Sequence, residues 1–135
     1  MDTPYQKYLI STDKTRLNRE TIYTFLQQSY WAKTRTYEQM EQSLEHSLCF
    51  GVYDGDRQIA FARAVTDYAT MFWLCDVFVD DDYRGQGIGK KLMEAVTQHE
   101  VLKNLNGVLG TADAHGLYEQ FGFTRNPERA MVRRV

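Results

Sequence analysis

The chain has 135 residues, 43% of them hydrophobic, and its 16 basic and 18 acidic side chains leave a net charge of −2. That length fits one domain. The balanced charge argues against general nucleic-acid binding, and no apolar run reaches membrane-spanning length, so no membrane partner is expected. Cys49 and Cys75 lie inside strand-like apolar runs and read as small core residues, with neither a disulfide nor a metal set in prospect. Met1–Tyr5 lacks a basic and then apolar leader, and a cytoplasmic protein is expected.

Taken in chain order, Lys7–Ser11 reads as a first strand. Asn18 is a good N-cap for a helix, and Leu17 can staple onto Ile22. Ile22, Phe25 and Leu26 share one face of that helix. A second helix starts at Thr36, where Thr36 and Gln39 match a capping box and Met40 and Leu44 give the inner face. Leu48–Tyr53 and Arg57–Asp67 are β-rich runs joined across Asp54-Gly55, a strong hairpin signal. Alternation puts Ile59, Phe61 and Val65 on one side and Ala60, Ala62 and Ala64 on the other. Met71–Val79 is a long apolar strand suited to the middle of a sheet. A helix is predicted from about Gly87 to His99, with Ile88, Leu92, Ala95 and Val96 inward. Gly107–Thr111 is a further strand. Asp113 is placed to cap a short helix that packs Leu117 and Phe121 and ends at Gly122. Phe123 and Ala130–Arg134 close the series as a last strand. The order β-α-α-β-β-β-α-β-α-β describes an α/β domain with a mixed sheet and helices on both faces.

The most informative stretch is Val77–Lys90, V-F-V-D-D-D-Y-R-G-Q-G-I-G-K. A strand ends in an acidic turn, glycines follow at alternate positions, and a helix begins. Bare backbone N–H groups at a helix N-terminus suit an anionic phosphate, and glycine lets the main chain come close to it. A Walker loop does not fit: Arg84 stands where its first glycine belongs, and Lys91 replaces the Ser or Thr. Gly85, Gly87 and Gly89 give G-x-G-x-G, one residue short of the dinucleotide fingerprint.

Arg84, Gly87 and Gly89 do meet R-x-x-G-x-G. This resembles the coenzyme-A loop of the GCN5-related N-acetyltransferase family. The resemblance extends to the preceding strand Phe72–Val79 and to Ala114–Phe123, with H-G-L-Y-E-Q-F-G-F at its centre, and so covers roughly the C-terminal half of the chain. It implies the acyl-CoA N-acyltransferase fold, acetyl-CoA as co-substrate, no metal, and an amine as acceptor. It also implies that the backbone of Gly85, Gln86, Gly87, Ile88, Gly89 and Lys90, with Arg84, holds the pyrophosphate, and that Val77, Phe78 and Val79 pair with the pantetheine arm. Tyr118 matches the family tyrosine that protonates the departing thiolate. The base stays open between Asp76, which can equally be a structural partner of Arg63, His115, and water-relayed deprotonation by neither. Some members of the family carry a glutamate earlier on this strand, where Phe72-Trp73-Leu74 stands here.

Tyr30, Trp31, Arg35 and Tyr37, in and just beyond the connection between the first two helices, are the candidate acceptor-binding residues, with core packing of Trp31 and Tyr37 as the alternative. Two functions remain in play: an N-acetyltransferase acting by direct attack in a ternary complex, and a non-catalytic acyl-CoA-binding regulatory domain on the same fold. Relatives in the family pair through strands or helices, which leaves a homodimer open.

Overall fold

The computed structural model describes residues 1–135. One six-stranded sheet runs through it in chain order. Strands β1 (Asp2–Tyr5) and β2 (Tyr8–Ser11) form a hairpin, followed by helices α1 (Arg19–Gln28) and α2 (Tyr37–Glu45). Then come β3 (Leu48–Asp54), β4 (Arg57–Thr66), β5 (Met71–Val79), α3 (Ile88–Gln98), β6 (Asn106–Leu109) and α4 (His115–Glu119). Neighbouring strands from β1 to β5 are antiparallel, and β5 pairs with β6 in parallel. The expected mixed sheet with helices on both faces is the fold observed.

Local signals produced what they promised where the chemistry is local. The Asn18 side chain accepts from Thr21 N at the head of α1. Thr36 and Gln39 complete a reciprocal capping box on α2. These bonds satisfy amides that a helix start leaves without an intrahelical partner. Two cores result. Leu17, Ile22, Leu26, Met40 and Leu44 pack with Cys49, Phe61 and Phe78 on one face of the sheet. On the other, Ile88, Leu92, Met93 and Val96 of α3 pack over Phe50, Val52, Phe72, Leu74 and the alanines of β4. Ala60, Ala62 and Ala64 are fully buried there, and their small side chains let the helix approach closely.

Four expectations are corrected. The first strand is half of a hairpin: Asp2–Tyr5 pairs with Tyr8–Ser11 through a turn that holds Gln6 at φ 53°. Ile59 belongs to the α3 core with its alanine neighbours, whereas Phe61 faces α1 and α2. The cause is a register shift: Val52 meets Ala60 and Tyr53 meets Gln58, so Ile59 is an inserted residue and the alternation breaks. Ala114, not Asp113, is the N-cap of α4, and Thr111 Oγ1 accepts from the Ala114 amide at 3.1 Å. Finally, residues 123–135 contain no strand. Met131, Val132 and Val135 are exposed, so the β-rich look of Ala130–Arg134 is not matched by any pairing, and β6 remains an edge.

Candidate active site

Two irregularities in β5 shape the centre of the molecule. The first is its pairing with β6, which runs only from Met71↔Asn106 to Leu74↔Leu109. From Cys75 to Val79 the same edge has no strand beside it. Gly107 helps to set where this parallel ladder lies, since a Cβ there would overlap the ring of Phe72. The second is a bulge against β4. Phe61 meets Phe78 and Arg63 meets Cys75, which leaves Ala62 opposite both Asp76 and Val77. Asp76 takes up the extra residue with φ 56°, in the left-handed region.

At the far end of β5 the chain turns through Asp81–Tyr83 and then enters the glycine loop. This turn is tied down from several sides. Asp80 N donates to Ile59 O at 2.8 Å, Tyr83 Oη donates to Asp54 Oδ2 at 2.8 Å, and Arg57 pairs with Asp80 at 2.9 Å. Gly85 and Gly87 follow with φ 80° and 78°, and Gly87 is the N-cap of α3 with no side-chain cap. The first bond into the helix runs from Lys91 N to Gly87 O at 3.0 Å. The amides of Gly85, Gln86, Gly87, Ile88, Gly89 and Lys90 find no acceptor in the protein. They form a run of free donors at the positive end of the helix macrodipole.

The loop is held open by residues that the sequence reading missed. Tyr5 Oη donates to Gln86 O at 2.9 Å, and Tyr8 Oη donates to Gln86 Oε1 at 2.6 Å. These tyrosines belong to the N-terminal hairpin, more than seventy residues away in sequence, and no local pattern marks them. Arg84 is exposed and pairs with Asp81 at 2.7 Å; Lys90 is exposed. Val79 lies beside Gly89 and joins Val77 in half-buried packing on the α3 core, while Phe78 is buried and stacks on Phe25 of α1 at 4.0 Å between centroids.

Beyond β6 comes α4, which packs on the α3 core. Tyr118 is its buried residue, at 9% exposure, with Phe123 edge-on at 6.2 Å. Leu117 and Phe121 pack against the same core as expected, each half-buried, and Tyr118 is buried more deeply than either. A helix of five residues is too short for its period to define a face. Burial pushes the Tyr118 phenol above its usual value, with the nearby Tyr30 phenol and Asp113 adding to the shift. Its hydroxyl makes no hydrogen bond to the protein and is not among the fully enclosed polar atoms. His115 opens the same helix and is half-buried.

Asp76 is fully engaged. Its side chain is 1% exposed. Oδ2 accepts from Arg35 Nη1 at 2.7 Å and from Arg63 Nε at 2.8 Å, and Oδ1 accepts from Trp31 Nε1 at 3.1 Å. Arg63 also donates to Ser47 Oγ at 3.0 Å. The pairing with Arg63 is therefore present, and a second arginine with it. Both of its oxygens already accept hydrogen bonds from protein donors, as a structural partner's would. Trp31 and Tyr30 are both exposed, with their rings edge-on at 5.1 Å. Tyr30 Oη accepts from Ala112 N at 3.1 Å, which bridges the α1–α2 connection to the segment leading into α4. Tyr37 packs edge-on against Tyr23 of α1 at 5.3 Å and takes no part in the Asp76 cluster. Neither Trp31 nor Tyr37 plugs the core. Thus Tyr30, Trp31, Arg35, Asp76 and Arg63 form one connected group that reaches towards α4, and Tyr37 stands apart from it.

A parallel strand pair that stops midway beside a helix whose first amides are free, with a buried phenol on the helix that follows, has the architecture of the N-acyltransferase class. The comparisons agree. The model of the acetyltransferase (GNAT) domain matches residues 45–125, and the chain belongs to that family. A crystal structure assigned to the GNAT family from Xanthomonas campestris pv. campestris is 42% identical, covers 98% of this chain and 95% of its own, and superposes with a TM-score of 0.91. The chloroplastic GCN5-related N-acetyltransferase 2 of Arabidopsis thaliana is 34% identical over 82 residues, which are 56% of this chain and 32% of that protein. The spermine/spermidine N(1)-acetyltransferase of Bacillus subtilis is 39% identical over 62 residues, 42% of this chain and 41% of that protein. The chain thus spans well under half the length of these two relatives.

Proposed function

We propose that this chain is an N-acetyltransferase that moves an acetyl group from acetyl-CoA to a primary amine by direct attack in a ternary complex. The observation that carries the reading is the run of six amides, Gly85 to Lys90, that find no acceptor in the protein and lie next to the unpaired edge of β5. Such donors fit a pyrophosphate. The open edge from Cys75 to Val79 fits an extended chain carrying amide groups, which would add to the sheet as a further strand. Acetyl-CoA supplies an activated thioester.

The protein's own residues then have distinct tasks. Gly85–Lys90 bind and orient through main-chain donors. Arg84 and Lys90 are close enough in sequence to add charge, and both are exposed. The amine nitrogen forms a bond to the thioester carbonyl carbon, the carbon–sulfur bond breaks, and the sulfur takes a proton. Tyr118 is the donor of that proton. Its half-sealed phenol remains protonated at neutral pH because burial disfavours the anion. The amine loses its proton to water or to His115, since the Asp76 oxygens are held by Trp31, Arg35 and Arg63. The acceptor lies beside Tyr30, Trp31 and Arg35.

The test has two stages. Thermal unfolding is followed with acetyl-CoA, ATP and NAD; ligand at 100 times its Kd adds about 2.7 kcal/mol to stability. Coenzyme-A release is then measured against a panel of amines. Stabilisation by acetyl-CoA alone, with amine-dependent release, supports the proposal. Stabilisation without turnover for any amine supports the non-catalytic acyl-CoA-binding alternative, and no effect of acetyl-CoA sinks both.

A further inference from the structure

The cluster around Asp76 holds more positive charge than it neutralises. Arg35 and Arg63 converge on one oxygen of one carboxylate, Asp76 Oδ2, at 2.7 Å and 2.8 Å. Neither guanidinium makes a second ion pair. The other oxygen of Asp76 is occupied by the indole of Trp31. Arg63 is enclosed, with 10% of its side chain exposed and its Nη1 on Ser47. Arg35 differs: 23% of its side chain is exposed, and Nη1 alone is bonded to a side chain. Two cations therefore share one anion, Arg63 enclosed and Arg35 partly open, and the surplus has its open side at Arg35. Charge withdrawn from water without a counter-charge is unfavourable, and a guanidinium fork matches a carboxylate in geometry as well as sign.

Arg35 also lies on the right segment. It shares the α1–α2 connection with Trp31 and with Tyr30, whose hydroxyl is anchored on Ala112 ahead of Tyr118. Gln27 Nε2 fixes the backbone of that connection by donating to Arg35 O at 3.1 Å.

We propose that the acceptor belongs to the amino-acid class: a primary amine with a carboxylate that docks on the open side of Arg35. This deepens the acetyl-transfer reading above and rests on it. The nitrogen gains the acetyl carbon, the sulfur leaves with a proton, and the carboxylate passes unchanged into an N-acetylated product. A polyamine acceptor would instead bring further cations against an existing surplus.

The test measures acetyl-CoA affinity by calorimetry first, and then coenzyme-A release with the standard α-amino acids against their decarboxylated counterparts, such as lysine against cadaverine and tyrosine against tyramine, with spermidine included. At least one amino acid should exceed its counterpart by about tenfold or more in kcat/KM, the scale of one charge-assisted bond. Arg35→Gln should erase that ratio through KM while leaving acetyl-CoA affinity in place. This variant keeps Asp76 and Arg63 as a matched pair, so the fold is retained. Arg35→Lys, which keeps the charge and loses the fork, should recover part of the preference. Counterparts or spermidine used as well as the amino acids, a ratio unmoved in Arg35→Gln, or acetyl-CoA binding with no amino acid turned over would each overturn the proposal. Failure of acetyl-CoA to bind at all would instead remove the donor reading on which it rests.

Discussion

Replacing Asp76 by Asn isolates the charge at the centre of the molecule. The two side chains are isosteric, and Asn tolerates the φ of 56° at this position. Backbone strain and volume therefore change little, and the loss reports the carboxylate. Three donors converge on it in the native protein: Trp31, Arg35 and Arg63. Arg35 is exposed enough to be rehydrated, so it contributes little to the penalty. Arg63 is enclosed and is left as an uncompensated buried cation. Breaking a buried pair in this way costs about 3–5 kcal/mol, a large share of the roughly 5–15 kcal/mol that holds a domain together. With an unfolding entropy of about 2.1 cal/mol/K per residue, the 135 residues convert this to a fall in Tm of about 10–18 °C. Urea titration followed by far-ultraviolet circular dichroism measures the first figure, and a thermal melt the second. Adding Arg63→Met to Asp76→Asn should restore much of the loss, because the orphaned charge is then gone. An Asp76→Asn protein within about 1 kcal/mol of the wild type, the scale of one ordinary hydrogen bond, would refute the argument.

Further outcomes follow from the same geometry. Tyr118→Phe should lower kcat about 10²- to 10⁴-fold with acetyl-CoA affinity unchanged, as read by steady-state kinetics beside calorimetry; unaltered kcat removes the phenol from the reaction. Because burial disfavours the ionised phenol, the proton stays on through neutral and mildly alkaline pH, and kcat should show no Tyr118-dependent descending limb below about pH 10. Gly87→Ala would put a Cβ 2.8 Å from the Tyr5 hydroxyl and force a left-handed φ on alanine. It should lose about 1–2 kcal/mol of stability and weaken acetyl-CoA binding by calorimetry; undiminished binding would speak against the loop as the cradle. Burial raises both cysteine thiols to about 11. At pH 8 the native protein should then react with a disulfide reagent about two orders of magnitude more slowly than an ordinary thiol of pKa near 8.5, and equal rates in native and urea-unfolded protein would count against that burial.

What could be read from the sequence was whatever short-range chemistry decides. The caps at Asn18 and Thr36 and the free-amide loop before α3 each depend on residues within a few positions of one another, and each is present. The Asp54-Gly55 turn does join β3 to β4. What the sequence hid was long-range or aperiodic. Nothing local links Tyr5 and Tyr8 to Gln86, or Trp31 and Arg35 to Asp76, because those contacts depend on the folded sheet bringing distant segments together. The extra residues at Ile59 and Asp76 break a two-residue period that has no means of announcing an insertion, and side-chain sidedness beyond them is misread. The exposed Ala130–Arg134 tail shows the converse: β-rich composition fits a pleated surface but needs a partner strand before it forms one.

The bulge at Asp76 ties the two halves of the site together. An inserted residue increases local twist and bends its strand, and here it lies just beyond Leu74, where β5 and β6 cease to pair. The same insertion sets the facing of the residues around it. Val77 and Val79 turn towards the α3 core beside the glycine loop, while Asp76 and Phe78 turn towards α1 and α2. One backbone irregularity thus coincides with the unpaired strand edge beside the glycine loop and aims the carboxylate that holds Trp31 and Arg35. Phe72 and Leu74 face the α3 core, so a regular β5 would turn Asp76 and Phe78 to that core and Val77 and Val79 away from it. Retaining a non-glycine residue at positive φ costs stability, and the three donors that converge on Asp76 offset it where the strand must also open.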